Sequence, residues 1–252
     1  MRGVAEMPRI NRCIHCLNEF PVVEMNDDHV FPKSWYPSST DHNLERWVVP
    51  SCIPCNQTHG RNEEDLLIRL SLCVGSNDPS CAGISERGLR AINPSFARNN
   101  RDRTHRLGKL QKIMREILVG DAIPDFGAHP DFPEILGIPR QNQFAITISE
   151  ESIKMLGKKI ARGIYYLQHN LYIEDPYKVE IYTENEEGSR TVMEMIRRFG
   201  QEYTREPGIS VYVAITPEDE MSSIFRIEIW NKWKMFGSVF SQTVLDSWGL
   251  SR

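Results

Sequence analysis

No apolar run in this 252-residue chain approaches the roughly 20 residues needed to cross a bilayer. A membrane-spanning helix is therefore excluded, and no membrane partner is expected. The opening, MRGVAEMPRINRC, lacks the apolar core of a secretory signal, so a cytoplasmic protein is expected. Internal repeats and low-complexity tracts are also missing, which sets aside repeat architectures. An overall excess of positive charge is lacking too: the net charge is −4, which argues weakly against nucleic acid as a partner. From about Gln143 onward there is no Gly-rich phosphate loop, no recognisable pair of catalytic carboxylates and no further metal cluster. The last section thus points to no chemistry of its own.

What is present is an ordinary soluble composition, 40% hydrophobic and 25% charged, long enough for two modest domains or one with an elaborate second half. The charge is unevenly spread. From Arg87 to Arg115 there are nine Lys or Arg and one acid, Asp102, a local +8 on a chain that totals −4. A concentrated positive stripe on an acidic body suits phosphate tracking; the bland alternative is the solvated face of an amphipathic helix.

The cysteines carry most information. Cys13/Cys16 and Cys52/Cys55 form two CxxC pairs with 35 residues between them, too many for a compact zinc ribbon. The intervening chain must build its own structure. In a reducing compartment, paired CxxC turns favour a tetrahedral structural zinc over a disulfide or redox role. Cys73 and Cys81 lack that spacing and read as core or loop thiols. Between the pairs lies Asp28-His29. Neighbours on a strand point to opposite sides, so this carboxylate and imidazole can address different atoms. Asn56 follows Cys55 directly, so a metal site there would fix where its amide points.

This arrangement resembles the HNH nuclease family in its zinc-stapled form. The matching residues are CIHC at 13–16, DDHVFPKS at 27–34, HNL at 42–44 and CIPCN at 52–56, followed by QTHGR. The resemblance covers roughly the first quarter of the chain. It implies a ββα-metal fold and a metal-dependent endonuclease that hydrolyses phosphodiester bonds, with nucleic acid, most often DNA, as partner. Asp28 and Asn56 would hold a catalytic Mg²⁺ or Mn²⁺. His29 would be the general base, its ordinary pKa of about 6.5 being close to working pH. An Asn carbonyl suits Mg²⁺, which keeps few protein ligands and several waters; the alternative for Asn56 is helix capping. Asn43 takes the place of the family's positioning asparagine, with a turn-forming role as the alternative. His59 is open between a third metal ligand, a phosphate contact and neither. Lys33 and Arg61 are cations able to hold the scissile strand, or ordinary surface charges. His15 and His42 read as exposed bystanders.

The expected class is α+β in three parts. Residues 1–75 form the zinc-stapled HNH domain, 76–140 a basic helical segment with a Pro/Gly-rich linker, and 141–252 a small α+β domain of unknown role. In the first part, strands are expected at Phe20–Met25 and Arg46–Pro50. A helical turn from Ile53 should be interrupted by Gly60, with a fresh helix capped by Asn62. Residues 75–83 read as a loop. Apolar residues from Leu107 to Leu118 make a helical stripe, and Gly120–Pro139 a linker. Arg101, Arg103, Arg106, Lys109 and Lys112 are the backbone-binding candidates on the stripe. In the last part, Phe144, Ile146 and Ile148 mark a strand, and Ser149 opens a helix with Ile153, Leu156, Ile160, Ile164 and Leu167 inward. Lys154, Lys158, Lys159 and Arg162 fall on that helix's polar side and could extend the positive surface. Further strands are expected at Val179–Thr183, Ile209–Ile215 and Ile224–Trp230, with a short helix over Thr191–Phe199. Tyr165, Tyr166, Trp230 and Trp233 could stack on bases, though core packing is their commoner use.

Two rival functions follow. One is a zinc-stapled module that binds nucleic acid without chemistry. The other is an effector whose carboxy-terminal part recognises a partner or ligand and governs the nuclease, a layout that would suit restriction or phage defence. A homodimer would be needed for concerted cutting of both strands.

Overall fold

Two three-residue strands, β1 (Ile10–Arg12) and β2 (Glu19–Pro21), pair antiparallel and frame the first CxxC turn. The computed structural model describes residues 10–75, 78–124, 138–183, 187–217 and 219–247. After β2 the chain does not continue as the expected strand to Met25. Val22–Glu24 form a 3₁₀ turn, and Val22 and Val23 are 50% and 86% exposed, with no core for a strand to face. The strand begins one turn later: β3 (Met25–His29) pairs antiparallel with β4 (Val48–Cys52), Asp28 opposite Val49 and His29 opposite Val48.

Helix α1 (Ile53–Ser71) starts directly after Cys52 and runs without a break. The expected interruption at Gly60 does not occur. Gly60 is exposed, with open space around it, so it costs the helix only about 1 kcal/mol. Burial of Leu66, Leu67 and Leu70 further along the same helix offsets that cost. Asn62 is therefore interior rather than a cap, and its amide donates to the Ser152 carbonyl at 2.9 Å.

Helix α2 (Ile84–Ile92) and helix α3 (Asn100–Glu116) follow, the latter capped by Asn99, which accepts from the Asp102 N–H at 2.9 Å. The helical stripe expected to reach Leu118 stops at Glu116. Ile117 and Leu118 instead enter β5 (Ile117–Val119), which pairs with β6 (Phe144–Ile146). Most of the expected 120–139 linker, residues 125–137, lies outside the described residues, as do residues 76–77 of the expected 75–83 loop.

Helix α4 (Glu150–His169) is capped by Ser149. Then come β7 (Tyr177–Thr183), α5 (Glu187–Phe199), β8 (Gln201–Arg205), β9 (Ile209–Thr216), β10 (Asp219–Ile229), β11 (Trp233–Ser241) and α6 (Gln242–Ser247). The five strands form one antiparallel sheet in the order β7-β11-β10-β9-β8. Strands β8 and β11 were not expected from the sequence. In β11 the obscuring residue is Gly237, where a Cβ would lie 2.3 Å from the Phe225 ring and 2.5 Å from the Glu180 carbonyl. Only glycine lets the neighbouring strands close there.

One apolar cluster joins residues from both ends of the chain. Ile14, Val30, Phe31, Trp35 and Leu66 pack in it with Leu156, Ile160 and Ile164 of α4 and with Ile209, Phe225 and Trp230 near the sheet. Packing thus continues across residue 140. Tyr165 and Trp230 are buried in this cluster, so neither is a base-stacking surface. The Trp230 indole N–H donates to the Trp35 carbonyl at 2.7 Å. A Cβ on Gly163 would come within 2.4 Å of Val30, so α4 lies directly against the loop that follows Asp28-His29. Among the described residues, no helix is long and apolar enough to cross a membrane.

Candidate functional site

The four paired cysteines come together. Cys13 and Cys16 lie on the β1–β2 turn, Cys52 ends β4 and Cys55 lies in the first turn of α1; all four Sγ atoms are within 4.8 Å of one another. The Cys16–Cys52 sulfurs are 3.8 Å apart, far beyond a bond, and all six cysteines of the chain are free. Burial opposes ionisation of Cys13, but N–H groups of Cys16, Cys52 and His15 outweigh it and lower the thiol to about 7. Burial and the neighbouring sulfurs push Cys55 up. Four sulfurs so placed can hold a metal such as zinc, whose charge would ionise all of them. Arg162 of α4 faces the cluster: burial lowers its pKa against the pull of Cys13 and Cys55, and its buried Nε has no hydrogen-bond partner among the described residues.

Beside the cluster opens a cleft of about 680 Å³. Asp28, His29, Lys33, His42 and Asn56 all line it, joined by Arg46, Glu63 and Arg87. The β3–β4 pairing and the start of α1 thus bring the adjacent Asp28 and His29 to the same cleft as the distant Asn56. Burial lowers the His29 pKa, and the charges of Lys33 and Arg46 lower it further, so the imidazole is neutral near pH 7. Its Nδ1 is buried without a hydrogen-bond partner.

Asp28 is 5% exposed and both its oxygens are engaged. Oδ2 meets His15 Nε2 at 3.0 Å, and Oδ1 meets Lys159 Nζ at 2.8 Å. Burial alone would raise its pKa; the His15 hydrogen bond and the Lys159 charge win, so the carboxylate stays ionised. His15 itself is shifted downward by burial, against the pull of Asp28. The contact is then a neutral imidazole N–H donating to a carboxylate rather than an ion pair. His15 is a buried partner of Asp28, not the exposed bystander its place between two cysteines suggested.

Lys159 is the larger surprise. It is 1% exposed, and its ammonium also bonds Glu63 of α1, so it cannot extend a positive surface. Burial raises the Glu63 pKa against the pull of Lys159. The sequence does carry a signal for Lys159: it falls between Leu156, Ile160 and Gly163, inside the apolar stripe of α4. A charge there must find a buried partner.

The remaining expected site residues lie elsewhere. His59 does not line the cleft; its ring sits 4.3 Å from that of His15, and burial, with His15 and Lys159, lowers its pKa to about 3. Asn43 is exposed and outside the cleft lining, with its backbone N–H bonded to Asp41 Oδ1 at 2.9 Å, a turn geometry. Arg61 is exposed and away from the lining. On α3, Arg106 bonds Asp102 at 3.0 Å, Lys112 bonds Asp65 at 3.1 Å and Lys109 pairs with Glu64, whereas Arg101 and Arg103 are exposed. The basic stripe is thus partly neutralised by α1.

Comparison with known protein families, with curated proteins and with solved structures finds no match to this chain.

Proposed function

We propose that this protein is a metal-dependent endonuclease of the HNH kind, acting on DNA. The observation that carries the proposal is the shared cleft: Asp28, His29 and Asn56 line it together, next to a four-cysteine cluster. His29 has what a general base needs, a neutral ring at working pH and a place on the cleft wall. It would take a proton from a water whose oxygen attacks the phosphorus, while the 3′ oxygen departs. Lys33, Arg46 and Arg87 supply cationic groups to the same cleft, suited to phosphate oxygens.

Asp28 and Asn56 would hold the divalent ion. Their donors fit it: Asp28 is ionised, and each of its oxygens keeps a lone pair after bonding His15 and Lys159. Such an ion, when bound, supplies stabilisation of the charge that develops on the phosphate and leaving oxygens. The four cysteines would hold zinc and keep the β1–β2 turn against α1. The engaged state of Asp28 also favours a second reading, a zinc-stapled nucleic-acid-binding module in which the carboxylate is structural.

Supercoiled plasmid incubated with the purified chain and Mg²⁺ or Mn²⁺ separates the two. The nuclease proposal expects metal-dependent nicking or linearisation, lost in His29→Ala. Equal inertness of wild type and His29→Ala across metals and substrates would leave only the binding module.

A further inference from the structure

Lys159 joins three parts of the chain at one atom. Its ammonium lies between Asp28 on β3 and Glu63 on α1, although Lys159 follows them by 131 and 96 residues in the chain. Both acids line the candidate cleft, whereas Lys159 does not. Two carboxylates accept from two of the ammonium's three donors. Without Lys159, the buried Asp28 and the half-buried Glu63 would face each other with no cation between them.

We propose that Lys159 is a positioning residue of the candidate site: it fixes the Asp28 carboxylate and sets the charge that a divalent ion beside Asp28 and Asn56 meets. This role rests on the metal-dependent reading of the cleft. It also gives the carboxy-terminal part a task in building the amino-terminal site. Two carboxylates and one ammonium carry formal charges that sum to −1. An ion arriving there is attracted, and with Lys159 bonded to both acids it would meet the remaining lone pairs of Asp28 and the Asn56 amide, which lines the same cleft.

The consequence is a charge series with opposing readouts. Glu63→Gln brings the group to zero, wild type stands at −1, and Lys159→Met takes it to −2. Mn²⁺ affinity of the zinc-loaded full chain, measured by calorimetry at pH 7.5, should rise by about tenfold at each step of that order. Plasmid-cleavage kcat should instead peak in wild type, because Lys159→Met lets the ion drift toward Glu63 and loses the fixed Asp28. Lys159→Arg, which keeps the charge, should hold wild-type Mn²⁺ affinity. A purely structural role would lower affinity and kcat together in Lys159→Met. Mn²⁺ affinity that ignores the charge order, or tighter Mn²⁺ with undiminished kcat in Lys159→Met, overturns the proposal. If Lys159→Met does not fold, Glu63→Gln against wild type still carries the comparison, and unchanged affinity there overturns it. Charge-ordered Mn²⁺ binding in a chain that never cleaves would support the role of Lys159 while removing the nuclease proposal.

Discussion

Stripping the metal from the four-cysteine cluster should release the β1–β2 segment while leaving the carboxy-terminal sheet folded. The segment spans Ile10–Pro21 and pairs with itself through only three residue pairs. Its buried residues are Cys13, Ile14 and His15. Burying Ile14 contributes about 2 kcal/mol. Ordering the backbone of about a dozen residues costs at least ~10 kcal/mol. The three backbone bonds that tie the turn, Cys13 N–H to Asn18, Leu17 N–H to Cys13 and Ile14 N–H to Pro50, add about 1 kcal/mol each. Side-chain ties such as Arg12–Glu174 are solvent-exposed and contribute little. The remaining several kcal/mol is of the size that zinc held by the four cysteines would supply. Hydrogen exchange with and without a chelator reads this directly, with released zinc quantified by a colorimetric dye. About one zinc per chain should appear, and the Cys13, Ile14 and Leu17 amides should lose protection while β9 and β10 keep theirs. Persistent protection of those three amides after complete metal removal would refute the reasoning.

Other outcomes follow from individual contacts. Gly163→Val forces side-chain atoms into Val30, which already lies within 2.4 Å of a Cβ at that position, and should destabilise the chain by about 1–3 kcal/mol in urea unfolding. The folded pKa of His59, about 3, lies below its ordinary 6.5, so the unfolded chain binds the extra proton between those values. Stability from this group is full above pH 6.5 and falls as pH drops toward 3, by up to about 1.4 kcal/mol per pH unit; His59→Gln should flatten that acid limb of the thermal-melt profile. If DNA follows α3, Arg103→Ala should reduce the salt slope of binding by about one, whereas Lys112→Ala, already paired with Asp65, should change it less in fluorescence-anisotropy titrations.

The cysteine cluster and the cleft positions of Asp28, His29 and Asn56 are legible in the sequence because they are local or metal-shaped. CxxC spacing announces a sulfur cluster whatever lies between, and Asp28, His29 and Asn56 take their places from strands and a helix adjoining it. What escaped was tertiary. His15 looked exposed because a residue between two cysteines has no periodicity to reveal its burial. A lysine at position 159 suggests a polar helix face although it lies within the apolar stripe; its partners, Asp28 and Glu63, are distant in sequence and invisible to spacing rules. Gly60 by itself signals a helix break, yet burial of Leu66, Leu67 and Leu70 further along α1 overrides a single exposed glycine. Strand β11 was hidden because Gly237 weakens its pattern for a reason, contact with Phe225, that exists only in the assembled sheet.

The most direct test of the cleft is anomalous diffraction from crystals of the zinc-loaded His29→Ala chain soaked in Mn²⁺. The expected result is a manganese peak in contact with an Asp28 carboxylate oxygen and the Asn56 amide oxygen, separate from zinc at the four cysteines. An occupied cysteine cluster with no manganese at Asp28 and Asn56, in a chain whose wild type cleaves DNA only with Mn²⁺ or Mg²⁺, would contradict the assignment of those two residues.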